Sequence, residues 1–257
     1  MNRGLPPERQ EDGIFQWMDG IGVHEVIIEN PDHRKEIFDL PLTQVQDVLD
    51  TYRRRIDSIE AEFQYKYVHV FKNKGKEAGA SLSHPHSQIV ATPIIPKQVN
   101  EEYYSCERLH RLYGECIFCR IIREEIRRGD RLVVDDEDFC VVTPFAPRFP
   151  FELRIYPKRH SPWYSTISKR ETASLAKTLK TLLLKQKKVL SDPPFNYYLH
   201  QGPNPHLRHE AWVNMKKSYH WHMEIIPVLT RVAGFEWGTG FYINPVTPET
   251  AAGFLRE

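Results

Sequence analysis

The chain has 257 residues, enough for one large domain or two small ones with a core that needs no disulfide bonds. Its hydrophobic content of 40%, charged content of 27% and net charge of about +1 are typical of soluble globular proteins and predict no nucleic-acid partner or membrane surface. No apolar run reaches the roughly 18 residues of a membrane span, and the N-terminus lacks the apolar segment of a signal peptide, so we expect a cytoplasmic protein.

The sequence of the first half predicts strands on either side of a long helix. The predicted elements, in chain order, are a strand at 23–29, a Pro-containing turn at 30–33, a helix at 43–63, a strand at 65–71, a glycine-containing loop at 73–83 and a strand at 88–92. The helix is indicated by apolar residues at helical spacing, and the turn by residues that end strands. Residues 97–128 are predicted to be partly helical and to join the two halves.

The second half repeats this order of elements. It predicts a strand at 151–156, a turn with His160, a helix at 169–190, a strand at 196–200 and a strand at 219–227. Each half therefore carries a histidine in an early turn and a His-x-His motif near its last strand. An internal duplication explains this parallel, with chance alignment of short elements as the alternative. The sequence predicts an α+β fold of two tandem units, 1–96 and 97–257, each an antiparallel sheet with a long helix packed on it.

The His-x-His motif of the first half is the strongest candidate for chemistry. On an extended chain alternate side chains share a face, so we expect His84, His86 and Gln88 to project together. Such a group can bind a metal, attack an electrophile and donate a hydrogen bond. Gly75 and Gly79, just upstream, allow a backbone to approach a phosphate closely. A pair of histidines on a surface strand is the plainer interpretation.

The second motif, Cys116-Ile-Phe-Cys119, has the spacing of zinc ligands. Tetrahedral zinc needs two more ligands, which the repeat supplies in His160 and His220, with His200 or His209 as a substitute for His160. A redox-active cysteine pair is the alternative, but such pairs usually belong to a thioredoxin-like unit, which the sequence does not show. The sequence therefore predicts one zinc ion in the second half.

The same symmetry predicts a metal site in the first half built from His33, His84 and two cysteines. Cys106 is the first cysteine of the chain, so no cysteine pair precedes it. Either the first-half site is degraded, or an N-terminal segment that normally carries the pair is absent from this chain. We expect His33 and His84 to lie near each other without two cysteines beside them.

The segment Asn73-Lys-Gly75, Ser81 and His84-Pro-His86-Ser-Gln88 resembles the active-site segment of galactose-1-phosphate uridylyltransferase, a family in the histidine-triad superfamily. The resemblance extends from about residue 23 to residue 255. It includes the branch of plant ADP-glucose phosphorylase, in which both halves carry zinc. The resemblance implies that each half is one histidine-triad-like unit.

The resemblance also implies roles for individual residues. His86 matches the nucleophile, Gln88 the amide that holds the nucleotidyl phosphate, and Asn73 and Ser81 positions that contact phosphate or nucleotide. Glu236, in Ala-Gly-Phe-Glu, matches a carboxylate that reaches the sugar in the partner subunit, which implies a homodimer.

The resemblance to the family also implies which residues are metal ligands. His33 and His84 match ligands of the first half, and the second zinc site matches Cys116, Cys119, His160 and His220. Two features depart from the family: its N-terminal stretch has no counterpart here, and Tyr242 replaces a Gln that contacts the hexose.

The implied activity is transfer of a nucleotidyl group from a nucleotide sugar to a sugar 1-phosphate through a nucleotidyl-histidine, with structural zinc. Two alternatives stay open. One is an ADP-glucose phosphorylase-like adenylyltransferase, and the other is a non-catalytic, zinc-stabilised nucleotide-binding paralogue. The second His-x-His contains His222, whose role is either structural or that of a ligand to a second metal.

Overall fold

The computed structural model describes residues 8–62, 64–207 and 213–257. Its strands are β1 (Gln10–Asp12), β2 (Phe15–Trp17), β3 (Val23–Ile28), β4 (Tyr67–Lys74), β5 (His86–Thr92), β6 (Leu132–Asp135), β7 (Phe139–Val142), β8 (Leu153–Pro157), β9 (Phe195–His200) and β10 (His222–Pro227). Its helices are α1 (Leu42–Glu60), α2 (Lys97–Tyr113), α3 (Ile117–Arg128), α4 (Lys169–Leu190), α5 (Met215–Ser218), α6 (Gly234–Thr239) and α7 (Pro248–Arg256). Every strand and long helix predicted from the sequence is present; α4 has the predicted ends, and the other elements have shifted ones.

Eight of the strands form one antiparallel sheet in the order β3-β5-β4-β9-β10-β8-β7-β6, and β1 and β2 form a separate hairpin. The first half contributes β3-β5-β4 and the second half β9-β10-β8, so the two sets mirror each other about the β4–β9 pair. This seam runs from Val70 opposite Leu199 to Lys74 opposite Phe195. The α+β class and the antiparallel sheet are confirmed, and the strands of the two halves belong to a single sheet.

Helices α1 and α4 pack on each other and cover one face of the sheet. The apolar positions of α1 point inward because they recur every three or four residues, and Val45, Leu49 and Ile56 are fully buried. Helix α4 begins with a capping box in which Ser168 accepts a hydrogen bond from the Glu171 amide. The main core lies between these two helices and the sheet.

The opposite face of the sheet is covered only in part. Helices α2 and α3 pack there over the second-half strands, through a cluster that includes Tyr103, Phe118, Tyr156 and Tyr219. The remaining surface bears cavities. Side chains from β4, β5 and β9 line a cavity of about 430 Å³, and β4, β9 and the segment after β10 line one of about 970 Å³.

The seam between the halves is reinforced by buried amides after β9. The side chain of Asn204 donates to the carbonyls of Glu60 and Tyr65, at 2.8 and 2.9 Å. The side chain of Gln201 donates to the Val68 carbonyl at 3.2 Å. The end of α1 and the start of β4 are therefore held by residues of the second half.

Among residues 8–62, 64–207 and 213–257, no helix combines the length and apolar character required to cross a membrane.

Candidate active site and metal centre

His86 is the first residue of β5 and lies opposite Ile28 of β3. Its side chain is buried, and its Nδ1 lies 2.8 Å from the carbonyl oxygen of His84. A carbonyl only accepts, so this contact assigns the hydrogen to Nδ1. In this tautomer the lone pair of the ring lies on Nε2, where it is available for attack on an electrophile.

Gln88 follows on the same strand, and its side chain shares the face of His86 because alternate residues point to one side. Its Oε1 lies 2.8 Å from Nε2 of His24, on the neighbouring strand β3. This hydrogen bond occupies the oxygen of the amide and leaves the NH₂ group as the donor. The structure therefore places an amide donor two residues from the imidazole. His84 lies outside the strand and is directed toward His33.

A buried polar network lies beneath His86, on the helix side of the sheet. Ser87 donates to Glu29 at 2.5 Å and contacts the hydroxyl of Tyr52, which lies 2.7 Å from that of Tyr197. Burial and the nearby Glu29 charge raise the pKa of Tyr52, so the hydroxyl stays neutral. Lys72, only 1% exposed, binds Glu29 at 2.8 Å and a second carboxylate at 3.2 Å. These bonds fix β5 at the residue next to His86.

The loop between β4 and β5 forms one wall of a cavity of about 610 Å³, which Asn73, Gly75, Ser81 and His84 line. Gly75 adopts φ of 86°, and an added Cβ would lie 3.0 Å from the Cβ of Pro194. Both the left-handed backbone and this close approach require glycine. The structure thus brings the three predicted phosphate-binding positions to one concave surface next to the His86 strand.

His33 and His84 lie together, as expected for the first-half site. Their Nδ1 atoms are 3.2 Å apart, and Nε2 of His84 contacts the Asn30 carbonyl at 2.8 Å. Within the described ranges, no third His, Cys, Asp or Glu joins them at metal-ligand distances.

The predicted zinc ligands converge in the second half. The ligand atoms of Cys116, Cys119, His160 and His220 all lie within 4.8 Å of one another. The Cys119 sulfur is 3.2 Å from Nδ1 of His160 and 3.5 Å from Nδ1 of His220. Two sulfur and two imidazole ligands at these separations suit tetrahedral zinc.

The surroundings of these ligands also fit a metal ion. Nε2 of His160 lies 2.8 Å from the Lys216 carbonyl, and Nε2 of His220 lies 2.7 Å from that of Pro157. Each carbonyl holds the ring hydrogen on Nε2 and directs the Nδ1 lone pair inward. A hydrogen bond from the Cys119 thiol lowers the pKa of Cys116 and raises that of Cys119, so Cys116 is the sulfur favoured as a thiolate. The substitute ligand His200 lies elsewhere, and His209 lies outside the described residues.

His222 belongs to a second cluster, with His200 and Glu102 of α2, whose ligand atoms also lie within 4.8 Å of one another. Nδ1 of His200 is 2.6 Å from Glu102, and Nε2 of His222 is 3.8 Å from both Glu102 and Glu224. Burial opposes ionisation of Glu102, but the two histidines and the hydroxyl of Tyr219 outweigh it and lower its pKa to about 2. His222 therefore faces two carboxylates.

The segment with Glu236 lies beside the cavity of about 970 Å³, which Trp237 and Gly79 both line. Glu236 itself is half-buried and accepts a hydrogen bond from the Ala233 amide at the start of α6. Within one chain, Glu236 lines neither this cavity nor the one beside His84.

The sequence patterns missed several polar residues of the site. Glu102 lies on a helix of mixed composition, and Glu29 and Lys72 lie on or beside strands, where a charge is usually exposed. The sequence signal for the last two is slight, because Glu29 and Lys72 each stand directly after an apolar run, where a charged residue usually marks the exposed end of a strand.

Comparisons with known proteins agree with this geometry. The family profile of the galactose-1-phosphate uridyl transferase N-terminal domain matches residues 2–96, and that of the C-terminal domain matches residues 96–256. The chain is 36% identical to ADP-glucose phosphorylase of Arabidopsis thaliana over 248 residues, which cover 96% of this chain and 68% of the relative. It is 34% identical to galactose-1-phosphate uridylyltransferase of Thermotoga maritima over 258 residues, 98% of this chain and 79% of the relative.

Solved structures give the same result. A crystal structure of an ADP-glucose phosphorylase from Arabidopsis thaliana with bound ADP-glucose superimposes with a TM-score of 0.86 at 36% identity, covering 94% of this chain and 75% of the other. A uridylyltransferase structure superimposes with a TM-score of 0.88 at 32% identity, covering 98% and 81%. The chain therefore belongs to the galactose-1-phosphate uridylyltransferase family.

Proposed function

We propose that this chain is a hexose-1-phosphate uridylyltransferase that moves a uridylyl group from UDP-glucose to galactose 1-phosphate through a covalent bond to His86. The observation that carries the proposal is the geometry of His86. Its Nδ1 hydrogen is held by the His84 carbonyl at 2.8 Å, next to the cavity that Asn73, Gly75 and Ser81 line. A buried, oriented imidazole beside a glycine loop is suited to nucleophilic attack on a phosphate.

In the first step, Nε2 of His86 attacks the α-phosphorus of UDP-glucose. The bond from that phosphorus to the bridging oxygen breaks, glucose 1-phosphate leaves with the electron pair, and a uridylyl-histidine remains. In the second step, a phosphate oxygen of galactose 1-phosphate attacks the same phosphorus, the P–N bond breaks, and UDP-galactose leaves with neutral His86 restored. The leaving group is a phosphate in the first step, so little proton transfer is required.

The protein contributes orientation and charge stabilisation. The NH₂ group of Gln88 has no hydrogen-bond partner among the described residues and can donate to a phosphoryl oxygen, because His24 occupies the amide oxygen. Asn73, Ser81 and the backbone amides near Gly75 supply further donors from the loop. Donors fixed before the reaction stabilise the charge that develops on the phosphoryl oxygens.

The equivalent histidine of the second half is unsuited to this chemistry. His222 faces Glu102 and Glu224, and both carboxylates would repel a nucleotide phosphate. Burial opposes ionisation of Glu224, but Arg154 and the other neighbouring cations outweigh it, so the pKa of Glu224 lies well below its usual range. We therefore assign the reaction to His86 and a structural role to His222.

We propose zinc as the cofactor of this protein. Its ligands would be Cys116, Cys119, His160 and His220. A site with four protein ligands leaves no open position for substrate, so the ion would stabilise the fold rather than act on the phosphate. We also place the protein in the cytoplasm, where cysteines stay reduced and available to a metal.

We further propose a homodimer in which the segment with Phe235 and Glu236 reaches the His86 site of the partner. Large apolar side chains are exposed along this segment, and Trp237, Phe241 and Ile243 are 79%, 71% and 66% exposed. Such a patch usually marks an interface. Light scattering at micromolar concentration should give the mass of two chains. A Trp237→Asp variant should be monomeric with unchanged secondary structure, whereas a monomeric parent protein would contradict the proposal.

The substrates are tested by incubating the chain with UDP-glucose and with ADP-glucose, each with and without galactose 1-phosphate or inorganic phosphate. We expect UDP-glucose and galactose 1-phosphate to give UDP-galactose and glucose 1-phosphate, detected by mass spectrometry. A second candidate is ADP-glucose phosphorylase activity, favoured by the 36% identity to the Arabidopsis thaliana enzyme. Conversion of ADP-glucose and phosphate to ADP and glucose 1-phosphate would select it, and binding without turnover of either sugar would indicate a non-catalytic paralogue.

A further inference from the structure

An asparagine of the second half contacts the predicted phosphate loop at two points. Asn196 of β9 lies directly opposite Asn73 of β4 across the seam. Its Nδ2 donates to Oδ1 of Asn73 at 2.8 Å and to the backbone carbonyl of Ala78 at 2.7 Å. Ala78 ends the short helical turn between Gly75 and Gly79. One amide group thus connects the end of β4 to the last residue of this turn.

The chemistry of these partners fixes which way each amide points. A backbone carbonyl only accepts hydrogen bonds, so the NH₂ group of Asn196 must face Ala78 and, beside it, the oxygen of Asn73. The oxygen of Asn73 is thus used by Asn196, and its NH₂ group is the end left for another partner. Among the described residues, that NH₂ group makes a single hydrogen bond, 3.5 Å long, to the Gly79 carbonyl. Asn73 lines both the cavity beside His84 and the larger cavity beyond Gly79.

We propose that Asn196 is a positioning residue that presents the NH₂ group of Asn73, rather than its oxygen, to the nucleotidyl phosphate. The inference rests on the proposed function, because it assumes that a phosphate binds beside this loop. A donor would stabilise the phosphoryl oxygens in the transition state, and an acceptor at the same place would repel them. The second half of the chain would then set the polarity of the site in the first half.

The test is an Asn196→Asp variant, which keeps the shape of the side chain and replaces its donor with an acceptor. The ionised carboxylate would attract the NH₂ group of Asn73 and turn the oxygen of Asn73 toward substrate. With UDP-glucose or ADP-glucose, whichever the parent uses, we expect kcat to fall roughly 10- to 100-fold with little change in KM. The deficit should shrink as the pH is lowered from about 8 to about 5, because the introduced carboxyl group donates again once it is protonated. The matched control Asn100→Asp, on α2, should keep the parent rate at every pH.

A second measurement separates positioning from damage to the fold. In an Asn73→Ala background, the Asn196→Asp change should have no further effect on rate, because the group through which Asn196 acts is gone. An additional loss in that background, or an Asn196→Asp variant that matches Asn100→Asp, would overturn the inference while leaving the proposed function standing. A parent protein that turns over neither nucleotide sugar would instead refute the proposed function.

Discussion

Replacing His86 with alanine should abolish nucleotidyl transfer. Mixing the parent protein with UDP-glucose and quenching at alkaline pH, where phosphohistidine bonds survive, should give a nucleotidyl adduct on the peptide that contains His86. The variant should show no adduct and a kcat lower by roughly 10⁴-fold or more, as expected when a covalent nucleophile is removed. Peptide mass spectrometry and a turnover assay measure the two effects.

The informative control is the same change at the equivalent position of the second half. His222→Ala should still form the adduct on His86, because the His222 ring contacts Glu102 and Glu224 rather than the phosphate loop. An adduct on His222, or turnover that survives in His86→Ala, would transfer the chemistry to another residue.

The Cys116→Ser, Cys119→Ser double variant should lose one zinc ion per chain. Serine hydroxyls do not replace thiolates as zinc ligands, and His160 and His220 alone would not hold the ion. Because metal binding contributes directly to folding, we expect the free energy of unfolding to fall by roughly 4 kcal/mol or more. Metal analysis by plasma mass spectrometry and urea unfolding measure the two quantities.

The chain offers a matched control in its other two cysteines. Cys106 and Cys140 are buried outside the cluster, so the Cys106→Ser, Cys140→Ser variant should keep its zinc despite some loss of stability. Equal zinc contents in the two double variants would show that the ion, if present, binds elsewhere.

Much of this arrangement could be predicted because local patterns determine it. Helix α4 follows from a capping box and regular apolar spacing, and the structure begins and ends it where the sequence indicates, at Lys169 and Leu190. The order of elements in each half predicts the antiparallel sheet. His160 and His220 are close together because β8 ends where its antiparallel neighbour β10 begins, and the start of α3 brings Cys116 and Cys119 to the same place.

The rest depends on contacts that no local pattern encodes. Strands β6 and β7 are four residues each, too short for alternation to stand out from the surrounding chain. Glu102 reaches His200 across 98 positions of sequence, and Asn196 meets Asn73 across 123. These contacts form because of the order of strands in the sheet, and in particular because β4 and β9 are neighbours. Gln88 is a further example, because only the position of His24 shows which end of its amide is free.

The seam between β4 and β9 also affects how the chain is made. One edge of β4 pairs with β5, but its other neighbour, β9, begins at Phe195, more than 120 residues after β4 itself. At a synthesis rate of about 5–20 residues per second, the first half waits roughly 6–25 s before that partner leaves the ribosome. During this interval the eight residues of β4 form an open strand edge, which can pair with the same edge of another nascent chain. Slow codons or truncations within the intervening segment would prolong that exposure, and aggregation of unfinished chains would follow before any loss of activity in finished ones.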